Sequence, residues 1–217
     1  MLNRTDRAMV ILSGGQDSTT CLFCAKEEFA EVHALTFNCS SATSELFAAK
    51  QVGEMAGVKS HEFLDIPNLL ASDSSFFPGR NVLFLTLAAN RAVVLETRNI
   101  FIGACGEDFD RYWDCREGFL SAMDVALAQG FGGMDDMFEL RAPLLKLSKS
   151  ATVHLADGMV GCMEALAFTH TCVTRSDIPC GLCRGCELRS HGFSEAGMAD
   201  PLITRIERKE LDGQPPK

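Results

Sequence analysis

No stretch of this chain approaches eighteen consecutive apolar residues, and its opening, MLNRTDRAMV, has no long apolar h-region. The first absence excludes a membrane-spanning helix, and the second a secretory signal. Runs of basic residues are missing too. Twenty Lys and Arg stand against 29 Asp and Glu, a formal charge of −9, so direct nucleic-acid binding through backbone neutralisation is disfavoured. There is no internal repeat and no low-complexity segment, and 217 residues suffice for one sizeable domain but not two large ones. A chain of this length buries roughly 70% of its extended surface on folding and needs no disulfide staple. These absences predict a reducing, cytoplasmic setting, in which the ten cysteines read first as metal ligands or catalytic groups.

What is present is a strict alternation. Short apolar runs at 8–12, 32–37, 60–64, 100–103 and 138–142 read as buried parallel strands. Residues 18–28, 44–56, 81–97 and 116–129 carry apolar groups at helical spacing. This order predicts a doubly wound, Rossmann-like α/β domain with a parallel sheet of about five strands over residues 1–147. After Pro143 the pattern changes. Residues 148–156 read as a helix with Ser148 as N-cap, and the chain then becomes rich in Gly, Cys and Thr. Residues 148–205 are expected to form an appendage held by something other than an extended core, and 206–217 a flexible tail.

The first strand-to-helix turn reads LSGGQDST, comprising Leu12, Ser13, Gly14, Gly15, Gln16, Asp17, Ser18 and Thr19. In open α/β sheets this position favours ligands. Gly14 and Gly15 permit close backbone approach, and the N–H groups of the following helix point at the same spot. Ser13 and Ser18 add hydroxyl donors, and Asp17 suits a Mg²⁺ that accompanies phosphates. The loop lacks the lysine of G-x-x-x-x-G-K-[ST] and the spacing of G-x-G-x-x-G, so it is neither a Walker loop nor a dinucleotide fingerprint. The competing reading is a plain turn with Asp17 or Ser18 as N-cap.

A second constellation is CVTRSDIPCGLCRGC, with Cys172, Cys180, Cys183 and Cys186. Four thiolates at this spacing describe a closed tetrahedral zinc site. An iron–sulfur cluster or a persulfide-bearing thiol is the alternative. His170 reads as a bystander. Cys21 and Cys24, inside the first helix, read as small buried residues, and Cys39, Cys105, Cys115 and Cys162 have no partner at metal spacing.

The S-G-G-x-D-S loop resembles that of the ATP pyrophosphatases, the adenine-nucleotide alpha-hydrolase-like fold, which split ATP into AMP and pyrophosphate. Together with the four-cysteine cluster it is similar to the 7-cyano-7-deazaguanine synthase family, over about residues 9–193. FFPGRNVLFLTLAA, with Arg80, Asn81 and Phe84, looks like the P-G-R-N segment of that family. GACGEDFDRYWDCREGFLSAM resembles its recognition stretch, PLLKLSKSATVHLA a stretch whose lysine lies near the nucleotide, and CGLCRGCELRSHGF its zinc tail.

The resemblance implies ATP, Mg²⁺ and Zn²⁺, with 7-carboxy-7-deazaguanine as substrate and ammonia as acceptor in two ATP-dependent rounds. It implies nucleotide contacts from the loop, Arg80, Asn81 and Gly103. Phe84, Asp108, Tyr112, Trp113 and Asp114 would meet the base, and Arg116 and Lys149 would hold the carboxylate or the charge at the α-phosphate, beside Asp17 and Ser18. A homodimer is compatible with this reading.

The chain departs from the family after the second strand. There LTFNCSSATSELFAAK places Cys39, Ser40, Ser41 and Thr43 where the family typically has a Tyr-Gly-Gln-Arg-His segment. This makes the region roomier and removes a potential base. Relatives in anti-phage defence look like deazaguanine ligases that use an amino group of a partner protein, and a widened pocket suits such an acceptor. A sulfur-transfer enzyme acting on tRNA and a non-enzymatic nucleotide-binding protein are the other classes.

Overall fold

The apolar runs become strands. The computed structural model describes residues 6–39, 43–66, 79–108, 112–132, 138–174 and 178–211. Within them β1 (Arg7–Ile11), β2 (Glu31–Asn38), β3 (Ser60–Asp65), β4 (Asn99–Phe101) and β5 (Glu139–Arg141) form one sheet in the order β3-β2-β1-β4-β5. Every pairing is parallel, with Val10 opposite Ala34 on one side of β1 and Phe101 on the other. Ala8, Met9, Val10 and Ile11 are all buried, as a strand covered on both faces requires. The strand order reverses between β1 and β4, which places the topological switch point beside the glycine-rich turn.

Side chains alternate between two cores. Ala8, Val10 and Phe101 pack with Cys21 and Leu22 of α1 (Gln16–Glu28) and with Ala49 and Val52 of α2 (Thr43–Ala56). Met9, Ile11 and Ile100 pack with Leu85 and Ala88 of α3 (Arg80–Val94) and with Leu120 and Met123 of α4 (Glu117–Gly130). The expected ends lie within three residues of those observed.

The C-terminal third continues as α5 (Lys149–Asp157), α6 (Cys162–Leu166), α7 (Arg184–Glu195) and α8 (Pro201–Leu211). Ser148 is the N-cap of α5, its Oγ accepting the Ala151 N–H at 3.2 Å. The appendage expectation needs correction. Val153, Ala156, Leu166 and Phe193 join the same core as Ala8 and Val10, so α5 to α7 are part of the sheet's cover. Residues 206–211, expected as tail, are helical because Leu202 and Ile206 are buried along one face of α8. Residues 212–217 lie outside the described residues, as do Ser40, Ser41, Pro78 and residues 109–111. Among the described residues no helix is long and apolar enough to cross a membrane.

Candidate active site and metal centre

The turn after β1 is shaped by its own hydroxyls. Ser18 Oγ accepts the Ser13 N–H at 3.1 Å, donates to the Gly15 carbonyl at 3.2 Å, and lies 3.0 Å from Ser13 Oγ. Gly14 has φ +83°, and a Cβ there would lie 2.6 Å from both Ala49 N and Glu45 O of α2. Only glycine fits. Gly15 is the N-cap of α1 and supplies no side-chain cap, so neither Asp17 nor Ser18 takes that role. The first N–H groups of α1 therefore point toward the turn without a side-chain cap, an arrangement that suits an anion.

These donors open on a cavity of about 320 Å³ at the carboxyl ends of β1, β2 and β4. Of the expected residues, Ser13, Gly15, Gln16, Asp17, Ser18, Arg80, Asn81, Phe84 and Gly103 line it. Gly103 is there for steric reasons, since a Cβ would meet Ser18 N at 2.7 Å. Phe84 stacks on Phe37 with ring centroids 4.2 Å apart, giving the cavity a flat apolar wall. Lys149, at the start of α5, does not line the cavity but meets Asp17 of the loop. Its Nζ donates to Asp17 Oδ2 at 2.5 Å, and both side chains are largely buried. Asp17 Oδ1 and Gln16 Nε2 are buried without partners among the described residues.

Other expected residues are not brought to this cavity. The Leu12 N–H donates to Leu35 O at 2.9 Å, and its carbonyl accepts from Thr36 Oγ1, so the residue is a core strut. Gly14 faces α2, and Thr19 is fully buried on α1. Asp114 Oδ2 accepts the Asn81 N–H at 3.0 Å, and Asn81 Nδ2 donates to the Asp114 carbonyl at 2.9 Å, which fixes the start of α3. Trp113 is 75% exposed with the Arg116 guanidinium 4.5 Å above its ring. Tyr112, partly buried, packs against the core on the α3 and α4 side. The Asp108 side chain lies outside the described residues, while its backbone belongs to a 3-10 turn, Gly106–Asp108.

The four sulfurs of Cys172, Cys180, Cys183 and Cys186 lie within 4.8 Å of one another. Zn–S bonds of about 2.3 Å put tetrahedral sulfurs roughly 3.8 Å apart, so the donor set fits one zinc ion. The Cys183 N–H points at Cys180 Sγ at 3.3 Å, and such N–H groups lower the Cys180 thiol. Burial pushes Cys186 up to about 12, so a cation is needed to hold it as thiolate. Cys21 is buried as expected, whereas Cys24 is only partly so. Burial raises Cys21 strongly, Cys24 to about 11 and Cys162 to about 12, which leaves them protonated and inert.

The family model described as "Queuosine biosynthesis protein QueC" matches residues 7–74 and 70–197. The chain belongs to the QueC family. Among relatives of this QueC chain, the 7-cyano-7-deazaguanine synthase of Gloeobacter violaceus is 42% identical, covering 90% of this chain and 95% of that protein. That of Chromobacterium violaceum is 41% identical over 93% and 95%. The U34-tRNA thiolase NcsA from Methanococcus maripaludis, solved with its [4Fe-4S] cluster, superposes with a TM-score of 0.52 at 15% identity. It covers 96% of this chain and 68% of that one, and the likeness shows a shared fold.

Two features of this QueC chain, the contacts of His170 and Glu107, were missed from sequence. His170, read as a bystander, donates its backbone N–H to Gly14 O at 2.8 Å and so ties the cysteine-bearing end to the glycine-rich loop. No side-chain signal marks a main-chain contact. Glu107 accepts the Lys149 N–H at 2.9 Å. Cys39, in the departing segment, lines the cavity. Burial raises its thiol against the opposing pull of Arg80, while Asn38 Nδ2 turns away to Asp65 Oδ1 at 2.7 Å.

Proposed function

We propose that this chain is an ATP-dependent carbon–nitrogen ligase of the 7-cyano-7-deazaguanine synthase type, which adenylates the carboxylate of 7-carboxy-7-deazaguanine. The observation that carries this reading is the uncapped glycine loop opening on a cavity lined by Asp17, the carboxylate that Lys149 pairs with. The N–H groups of α1 and the hydroxyls of Ser13 and Ser18 bind the pyrophosphate end of ATP. Asp17 Oδ1, buried and unpartnered, is a suitable oxygen ligand for Mg²⁺. When bound, Mg²⁺ neutralises phosphate charge. The Lys149 ammonium faces the charge that grows at the α-phosphate.

A substrate carboxylate oxygen then bonds to the α-phosphorus as the bond to pyrophosphate breaks. A nitrogen nucleophile next bonds to the acyl carbon, AMP departs with the C–O electron pair, and the nitrogen loses a proton. With ammonia the product is the 7-amide, and a second adenylation followed by loss of AMP gives the nitrile. Phe37 and Phe84 offer a flat wall to a base, and Arg80 offers a cation to a carboxylate or phosphate. The four-cysteine site serves as a structural staple, and with one ion bound by all four sulfurs it keeps no thiol for sulfur transfer.

A second reading is favoured by the small Cys39 at the cavity wall, which leaves room for a protein amine as acceptor in place of ammonia. One incubation separates the two. Purified protein is supplied with ATP, Mg²⁺, 7-carboxy-7-deazaguanine and ammonium, and products are read by mass spectrometry. Pyrophosphate with nitrile supports the synthase, whereas amide alone, or mass added to a protein, supports the protein ligase. If no pyrophosphate forms, the adenylation reading fails.

A further inference from the structure

We propose that Glu107 is a positioning residue for Lys149, an inference that rests on the reading of Lys149 given above. The Lys149 side chain is 8% exposed and spans from the first residue of α5 to Asp17. Where its ammonium arrives is decided by where the first turn of α5 is held. Among the described residues four groups hold that turn. Glu107 Oε1 accepts the Lys149 N–H at 2.9 Å, Gly106 N donates to Leu147 O at 3.2 Å, and Ser148 caps from within. On the far side Gly192 of α7 lies so close that an added Cβ would sit 2.7 Å from Lys149 Cβ. Among these only Glu107 brings a side chain from outside α5, joining the end of β4 to the lysine.

The chemistry of Glu107 argues for more than packing. Its Oε2 is buried and has no partner among the described residues, and an unpaired carboxylate oxygen is an unfavourable way to fill space. An apolar side chain of the same size would fill it at lower cost. A carboxylate placed at the start of a helix is electrostatically favoured there, and it also fixes the N–H it accepts. Arg184, next to Cys183, donates to the Glu107 carbonyl at 3.3 Å, so the backbone of Glu107 is itself held from the cysteine-bearing end. Glu107 and Asp17 thus grip the same lysine at its two ends, one at the main chain and one at the ammonium.

The test uses the full chain loaded with zinc. Labelling of Lys149 by an amine-acylating reagent is followed by peptide mass spectrometry, with the exposed Lys50 and Lys146 as internal references. Glu107→Ala is expected to speed Lys149 labelling about tenfold over the references, Glu107→Asp by an intermediate factor, and Glu107→Gln, which keeps the acceptor oxygen, by less than about twofold. Should Glu107→Ala not fold, Glu107→Asp reads the same rate. In the pyrophosphate assay Glu107→Ala lowers kcat more than it raises KM for ATP, and it adds no further loss to Lys149→Ala. Unchanged Lys149 labelling overturns the proposal. So does acceleration shared by all lysines, or a loss that multiplies with that of Lys149→Ala. A wild-type protein that releases no pyrophosphate defeats the adenylation reading, while the labelling rates still decide the role of Glu107.

Discussion

The sheet and the cysteine-bearing end of this molecule reach order by different means. In the sheet, Ala8, Met9, Val10 and Ile11 are covered on both faces by helices, and each contributes through many small contacts. At the other end, between α6 and α8, large apolar groups are few and directional bonds dominate. Buried Arg189 pairs with Asp200 through Nε at 2.6 Å and Nη2 at 2.8 Å, and also donates to Thr169 Oγ1 and the Leu166 carbonyl. Four sulfurs converge alongside. A core made of many weak contacts tolerates the loss of one, whereas a junction made of a few strong bonds does not.

That contrast can be broken most forcefully by removing the metal. Zinc sites of this kind contribute on the order of 10 kcal/mol, so strong chelation, or Cys172→Ser, is expected to release residues 170–190 while the sheet keeps its protection. Amide hydrogen exchange reads both regions at once. If sheet and cysteine-bearing end lose protection together, the two are not independent. Next in size is Asp17→Ala. On the proposed division, chemistry at the loop and shape at the cysteines, it should lower pyrophosphate release by on the order of 10³-fold with zinc content unchanged. Zinc analysis alongside the assay checks this.

Arg189→Met probes the junction without touching a sulfur. It leaves Asp200 as a buried unpaired charge and is expected to cost about 3–5 kcal/mol in denaturant unfolding. A loss under 1 kcal/mol would show that the metal alone holds this end. The smallest effect concerns the sheet edge, where burial lowers His61 to about 4 and its ring donates to Thr36 Oγ1. The unfolded chain binds a proton near pH 6.5 and the folded one only near 4. The contribution is therefore complete above pH 6.5 and declines as pH falls toward 4. Thermal midpoints across this window should fall less in His61→Asn than in the wild type.

How far the sequence could be read follows the same division. Buried parallel strands announce themselves as apolar runs, and all five were legible to within a residue or two. The helix α7 was not, because its residues CELRSHGF are polar and take their place from Arg189 and the sulfurs. The start of α8 carried a usable sign in Asp200 before Pro201, and the Asp200 carboxylate does accept the Leu202 N–H at 2.9 Å. The glycine-rich loop was legible as a turn because its shape rests on its own residues, Gly14 with its positive φ and the paired hydroxyls of Ser13 and Ser18. Asp114 was harder, since nothing in the sequence says that its carboxylate holds the Asn81 N–H at the start of α3. Glu107 left no mark either, because its meaning depends on a lysine that only folding brings near.

The bond from the His170 N–H to Gly14 O links the turn after β1 to the segment between α6 and α7. During synthesis on the ribosome, β1 and α1 emerge early, and the sheet can gather as its later strands appear. The loop cannot be locked in place until residue 170 has left the exit tunnel. The site therefore takes its final form only after residue 170 has emerged, with the segment that leads to the four cysteines acting as the latch.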